Sequence, residues 1–180
     1  MYLCSQGFLT GYYYKPRMDY DLIRQHSEGL ICLSACLSGD LPKLLLQERH
    51  DDAVNYVHEM QDIFGKDNFF IEIMDHGIRE EKIVLPRLVA LARELNVPLV
   101  ATNDCHYLEE KDADAQEVLM CIQTGKTLED DARMRMETRQ LYVKSETEMR
   151  TLFASCPDAV DNTTKIAERC QVEFEFGVTR

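Results

Sequence analysis

Asp104 and His106 are the residues whose types and spacing most directly suggest chemistry. They stand two positions apart at the end of an apolar run, in the sequence ATNDCHY. Side chains two apart on an extended segment point to the same face, so a carboxylate oxygen and an imidazole nitrogen would converge there. Such a pair supplies half of a metal site. The ordinary alternatives are a turn-capping aspartate and a histidine that is hydrogen-bonded in the core.

Two earlier apolar runs also end in residues of metal-ligand type. The first is followed by Cys36, and the second carries Glu72 and then His76. In parallel α/β folds the active site lies at the carboxyl ends of the strands, so we expect these side chains to meet Asp104 and His106 at one edge of a sheet. Cys36 can equally be a small buried apolar residue.

The elements that would position these residues follow from the apolar pattern. Three short apolar runs predict buried strands: Gly29 to Ser34, Asn68 to Met74 and Val97 to Thr102. Apolar residues recur at helical spacing between them, first from Ala53 to Phe64 and then from Val84 to Leu95. This alternation predicts an α/β fold with a parallel sheet covered by helices.

The sequence after the third strand predicts helices and a connector. Asp112 can cap a helix that ends in a turn near Gly125, and the apolar face of this helix would comprise Ala115, Val118, Leu119 and Ile122. The charged segment Leu128 to Val143 is too rich in Met, Leu and Tyr for a free linker, which predicts an ordered connector over a surface.

Two further signals complete the pattern. Ser145 and Glu148 match a capping box, and a final helix is predicted from about Asp158 to Cys170.

Basic residues are the candidates for contact with nucleic acid. Lys15 and Arg17 follow three tyrosines in GYYYKPRMD, a combination that can stack on bases and bind phosphates. Arg133, Arg135 and Arg139 lie in the connector. For both groups the alternative is ordinary packing and pairing with the abundant acidic residues.

Charge and cysteine content restrict the function classes. The net charge of −12 opposes autonomous binding to nucleic acid, because phosphate neutralisation needs a face rich in Lys and Arg. Seven cysteines, an odd number in a chain of this size, favour reduced thiols over a disulfide scaffold. There is no apolar run of membrane-spanning length and no signal peptide at the start, so we expect a soluble, cytoplasmic protein without a membrane partner.

Several blocks of the sequence together resemble a known family. GYYYKPRMD, SEGLICLSACLSGDL, NFFIEIMDHG, VPLVATNDCHYL, DAQEVLMCIQTGKTLED, LYVKSETEM and PDAVDNTTKIAERC occur in this order. They are similar to the PHP domain (polymerase and histidinol phosphatase domain), and the segment adjoining it, of bacterial DNA polymerase III α subunits. The resemblance covers nearly the whole chain.

This resemblance implies a fold and a set of ligands. The fold would be part of a (β/α)7 PHP barrel over residues 1–111, followed over residues 112–180 by a small helical and connector segment leading toward the polymerase palm. Cys36, Asp104 and His106 match the family's metal-ligand positions, and zinc or manganese would suit them. Glu72 and His76 are expected to hold these ligands in position without binding the metal themselves.

The chain also departs from the family. A PHP domain opens with a strand that carries a His-x-His pair, and these 180 residues contain no such pair. We therefore expect a fragment that lacks the first part of the barrel, most of the metal ligands and the magnesium-dependent polymerase palm. Such a fragment would not polymerise, and its open barrel edge would favour self-association.

The resemblance implies a function for the parent protein. It would be the catalytic α subunit of the replicative polymerase, acting on DNA and deoxynucleotides beside the proofreading exonuclease, the sliding clamp and the clamp loader. Its PHP domain would be a metal-dependent 3′–5′ exonuclease, or a noncatalytic scaffold that docks the separate exonuclease subunit. The alternative from another class is a free-standing PHP phosphoesterase of the histidinol phosphatase type.

Overall fold

A computed structural model gives the structure of the protein and describes residues 1–173 and 176–177. One or two helices precede each strand. In chain order the elements are α1 (Tyr2–Leu9), α2 (Tyr20–Gln25), β1 (Cys32–Leu33), α3 (Asp40–Leu46), α4 (His50–Phe64), β2 (Phe69–Ile73), α5 (Arg79–Glu94), β3 (Leu99–Ala101), a 3₁₀ turn (Glu110–Asp112), α6 (Ala113–Thr124), α7 (Glu146–Leu152) and α8 (Pro157–Arg169).

The three strands form one parallel sheet in the order β1-β2-β3. Cys32 is paired with Phe69, and Ile71 with Leu99. The parallel α/β arrangement predicted from the apolar runs is therefore confirmed, with each strand shorter than its run. The sheet does not by itself establish a seven-fold barrel, which stays a prediction.

The central strand β2 is buried along its whole length, as its continuous apolar sequence predicts. Helices α4 and α5 cover it with the residues that recur at helical spacing, including Val57, Met60, Leu88 and Leu91. Burying each large apolar side chain stabilises the fold by about 1.5–3 kcal/mol, so this layer holds the sheet together.

The two outer strands have different surroundings. β3 is fully buried, because α8 packs along it and the side-chain amide of Asn162 donates a hydrogen bond of 2.7 Å to the Leu99 carbonyl. Residues of β1 are only half-buried. The core includes Ala159 and Val160 of α8, so it draws on both sides of the boundary expected at residues 111 and 112, and that boundary stays a prediction.

Helix α6 corrects one expectation. Val118, Leu119 and Ile122 of the predicted apolar face are exposed, whereas Met120 and Cys121 are buried. The reason is that α6 lies beside the charged connector and packs little against the core. The carboxylate of Asp112 does not cap α6 either, because it accepts the Glu109 backbone N–H at 3.0 Å.

The other local signals are confirmed. Gly125 ends α6 in the left-handed conformation, with φ of 63°. The Ser145 hydroxyl accepts the Glu148 amide, and the Glu148 carboxylate accepts the Ser145 amide, which is the predicted capping box. The final helix α8 occupies the predicted range. Each of the seven cysteines is a free thiol.

Among the described residues, no helix is both long and apolar enough to span a membrane.

Candidate metal centre

A cavity of about 270 Å³ lies beyond the carboxyl ends of the strands. Cys36 reaches it from the loop after β1, and Asp104 and His106 reach it from the loop after β3. The three residues that the sequence predicted as ligands therefore line one cavity. The remaining lining residues are Leu37, Ser38, Met74, His76, Ile78, Glu81, Arg135, Met136, Glu137, Thr138 and Leu141.

The loop that carries Cys36 is tightly folded. Ala35 has a φ of 69°, in the left-handed region that alanine seldom occupies. A side chain at Gly39 would place its Cβ 2.8 Å from the Ser34 carbonyl oxygen, so glycine is needed there. The Gly39 amide donates to the Cys36 carbonyl at 2.7 Å. This turn leaves the Cys36 side chain half-buried at the cavity.

Glu72, on the central strand, joins the two ligand-bearing loops. One oxygen of its buried carboxylate accepts the Ala35 amide at 3.0 Å, and the other accepts the Thr102 hydroxyl at 2.6 Å. Its own amide donates to the Ser34 hydroxyl at 2.9 Å. Both carboxylate oxygens therefore bind protein donors, and Glu72 does not line the cavity. Its geometry is that of a support for the loops.

His76 links α5 to the Asp104 loop. Its Nε2 accepts the Asp104 amide at 3.2 Å, so this nitrogen carries no proton, and Nδ1 donates to Glu81 at 2.6 Å. The other Glu81 oxygen accepts the His76 amide at 2.7 Å. Both ring nitrogens of His76 are thus engaged by the protein, which leaves no lone pair for a metal.

The environment of Glu81 determines its charge. Burial alone would raise the pKa of this carboxyl, but hydrogen bonds from the ring and the amide of His76 lower the pKa overall. Glu81 is therefore a carboxylate at neutral pH. It was not among the residues nominated from the sequence, although an acidic residue in the first turn of a predicted helix is a common signal for binding free amides.

His106 has the ring orientation that suits a metal ligand. Its Nδ1 lies 2.9 Å from the Asp104 carbonyl oxygen, which only accepts hydrogen bonds, so Nδ1 carries a proton and, in the neutral ring, the lone pair is on Nε2. Metal-binding histidines are commonly fixed by such a bond through their other nitrogen. The side chain of Asp104 is 47% exposed and that of His106 32%, so both remain open to solvent.

The connector after α6 closes one side of the cavity. The Thr138 hydroxyl donates to the His76 carbonyl at 2.8 Å, and the His106 amide donates to the Leu141 carbonyl at 2.8 Å. Asn103 donates to the Tyr142 carbonyl at 2.6 Å. The sequence predicted an ordered connector over a surface, but it did not show that this surface is the candidate site.

The candidate nucleic-acid residues lie in different environments. The Arg17 guanidinium lies 5.1 Å from the centroid of the Tyr13 ring, and Lys15 and Arg17 are exposed away from the cavity lining. The side chain of Arg133 is 9% exposed and forms an ion pair with Glu117, which disfavours a role in binding nucleic acid.

The donor types at the cavity fit a metal, but the described residues do not form a coordination shell. Across residues 1–173 and 176–177, no three His, Cys, Asp or Glu side chains lie close enough together to hold a metal ion. The site therefore supplies candidate donors without completing a centre.

A second cavity, of about 550 Å³, lies at the opposite ends of the strands. Its lining includes Lys165, which donates to the Asn162 side chain, and Arg169, which donates to the Asp67 carbonyl and to Asn68. Arg169 thereby holds α8 against the loop before β2, whereas Lys165 contacts a neighbour on α8 itself, so both cations have structural contacts.

The sequence of the chain is similar to those of known proteins. The family model for the PHP domain matches residues 1–76. The chain is 49% identical over 174 residues to DNA polymerase III subunit alpha of Treponema pallidum, a match that covers 97% of this chain and 15% of that protein. The corresponding proteins of Borreliella burgdorferi and Thermus aquaticus are 47% and 43% identical, over 98% and 97% of this chain and 15% and 14% of their own lengths.

The chain spans about 15% of the length of the curated relatives it matches. The similarity continues well beyond the residues matched by the PHP model, through the connector and the last helices. The chain therefore carries part of a PHP domain and belongs with the corresponding segment of DNA polymerase III α subunits.

Proposed function

We propose that this chain is the segment of a bacterial replicative DNA polymerase III α subunit that contributes Cys36, Asp104 and His106 to a divalent metal centre. In this proposal the centre serves metal-dependent 3′–5′ hydrolysis of DNA. The observation that carries it is the convergence of these three donors on one cavity at the carboxyl ends of parallel strands. The relatives reported above, each named DNA polymerase III subunit alpha, support the assignment.

The type of each donor determines which metal the site would favour. A Cys36 thiolate and the His106 Nε2 favour zinc, while Asp104 with His106 also suits manganese. A bound divalent ion would supply hydroxide at neutral pH and neutralise charge on a scissile phosphate. The chain's own contribution is to hold the donors, through Glu72 and through the bond from the Asp104 amide to His76. The remaining ligands would come from outside the described residues.

Polymerisation belongs to the parent protein in this proposal. Magnesium, deoxynucleotides and the primer terminus would be bound by a palm outside this chain, together with the clamp, the clamp loader and the exonuclease subunit as partners. The chain alone would not extend a primer. Similarity to α subunits over 97% of the chain favours this assignment over a free-standing phosphoesterase.

A noncatalytic scaffold that docks the exonuclease subunit is the second candidate. It is favoured by one observation: the described residues bring no three ligand-type side chains within metal-binding range of one another. A scaffold needs the fold of this region but no metal. The two candidates therefore differ in whether Cys36 binds a metal.

Cobalt(II) titration tests the proposal, because a cobalt–thiolate bond gives a charge-transfer absorption band. We expect weak binding that is lost in Cys36→Ser and reduced in His106→Ala. Cys4→Ser is the matched control, since Cys4 is an exposed cysteine that does not line the cavity. An identical thiolate band in Cys36→Ser, or no cobalt binding by the chain, would overturn the metal assignment in favour of the scaffold.

A further inference from the structure

The three arginines of the connector have different surroundings. Arg133 is paired with Glu117 at 3.0 Å, and Arg139 is paired with Asp114 at 2.6 Å. Both pairs attach the connector to α6. Arg135, between them, is exposed and makes neither an ion pair nor a side-chain hydrogen bond with any residue that the structure describes.

Arg135 is also the one member of the trio that lines the candidate cavity. Of the described residues that line it, Arg135 is the only lysine or arginine. Side-chain contacts anchor the connector on either side of Arg135: Arg133 pairs with Glu117, and the Thr138 hydroxyl donates to the His76 carbonyl. The connector thus presents an unpaired guanidinium to the cavity from an anchored segment.

We infer that Arg135 binds the phosphate group of a ligand in this cavity. A guanidinium offers parallel N–H donors that match two phosphate oxygens, and it stays protonated at any physiological pH. The cavity, about 270 Å³, is near the lower end of ligand pockets, which leaves room for a phosphate and a small part of its ester. The inference rests on the proposed function and names the residue that would bind the phosphate of its substrate.

The acids around the cavity set the expected strength of binding. Asp104, Glu137 and the buried carboxylate of Glu81 line the same cavity and oppose an anion, so Arg135 alone would bind phosphate weakly. A divalent cation at the three donors would neutralise part of this negative charge and strengthen binding. Arg135 would therefore orient the phosphate, and the affinity would depend on both cations.

Inorganic phosphate is the probe, and its binding is monitored by ¹H–¹⁵N NMR spectra of the 180-residue chain. We expect shifts concentrated at Arg135, His106 and Leu141, with affinity about tenfold weaker in Arg135→Gln, as the loss of a charge-assisted hydrogen bond predicts. Arg135→Lys keeps the charge without the paired donors and should restore part of the affinity. Arg139→Gln, which removes a connector arginine outside the cavity, should leave the affinity unchanged.

Two results would overturn the inference: the absence of phosphate-induced shifts at the cavity, and equal affinity in Arg135→Gln and the unaltered chain. Cobalt titration of the same variants separates this outcome from failure of the proposed function. If cobalt binding depends on Cys36 but the phosphate affinity does not change in Arg135→Gln, the inference is rejected and the metal assignment stands. Arg135-dependent phosphate binding without any cobalt–thiolate band supports the inference and rejects the metal assignment.

Discussion

The Nδ1 atom of His76 lies 2.6 Å from Oε1 of Glu81, and the two side chains are only 2% and 6% exposed. Because His76 also accepts the Asp104 amide, this contact connects the first turn of α5 to the loop that carries two candidate ligands. A buried carboxylate in this position is stable only while its donors remain in place.

Replacing Glu81 with alanine should therefore destabilise the fold. The substitution leaves two buried donors, the His76 ring N–H and amide, without their acceptor, and each loss costs about 1–3 kcal/mol. Urea denaturation should show the decrease in the free energy of unfolding. Glu80→Ala is the matched control on the same turn, because Glu80 is exposed, and it should change stability by less than about 0.5 kcal/mol. Equal effects of the two substitutions would contradict the role of Glu81.

Replacing Glu72 with glutamine should loosen both ligand-bearing loops. Glutamine keeps an acceptor oxygen for the Ala35 amide, and the Thr102 hydroxyl can rotate to accept from the new NH2 group, so both contacts remain but lose the charge of the carboxylate. Exchanging charge-assisted hydrogen bonds for neutral ones should cost about 1 kcal/mol. Amide hydrogen exchange at Ala35 should accelerate in this variant. The same substitution at half-buried Glu59, on α4, should leave that exchange rate unchanged. Unaltered protection of Ala35 in Glu72→Gln would argue against the bridge.

Glu148 should titrate well below the ordinary range. Hydrogen bonds from the Ser145 side chain, the Tyr142 hydroxyl and the Ser145 amide lower the pKa of its carboxyl from 4.5 to about 2. Because the folded pKa is depressed, the contribution of this carboxylate to stability is present above pH 4.5 and is lost as the pH falls toward 2. Carboxyl ¹³C NMR should record this pKa and show it rising toward 4.5 in Ser145→Ala, with a smaller rise in Tyr142→Phe. An unchanged pKa in Ser145→Ala would reject the capping contact as the main cause.

Self-association should occur through β1. Its residues are half-buried, and Leu30 just before it is exposed. Three consecutive tyrosines earlier in the chain, Tyr12, Tyr13 and Tyr14, are exposed as well. Light scattering over a concentration series should show an increasing mass that Leu30→Lys reduces. Ile122→Lys, on the exposed face of α6, is the control for a general effect of added charge. A constant monomer mass would show that the β1 edge is not available for pairing.

The sequence predicted those parts of the structure that depend on local pattern. The strand around Ile71 carries apolar side chains on both faces, and both faces avoid water only if the strand is covered on each side. Its central place in the sheet was therefore predictable. The spacing of Asp104 and His106 at the end of such a run likewise predicted their common location. Ser145 and Glu148 needed only the three-residue spacing of a capping box.

Features that depend on contacts between distant segments were not predictable. The apolar stripe of Val118 and Ile122 predicted a buried helix face, but burial depends on which segment lies opposite, and here that face is exposed. The position of Arg135 at the cavity depends on a connector without periodicity. Similarly, no pattern in the sequence distinguishes Arg133, which is buried against Glu117, from its neighbours.

The bridge made by Glu72 has a consequence for the order in which the molecule folds. Its two bonds join residues 37 and 30 positions apart, to Ala35 and Thr102, and each spans a complete helix-containing crossover. Contacts at such separation form only after the entropy of closing both loops has been overcome. The two ligand-bearing loops therefore gain their mutual geometry late in folding, and the loss of either crossover would release both of them together.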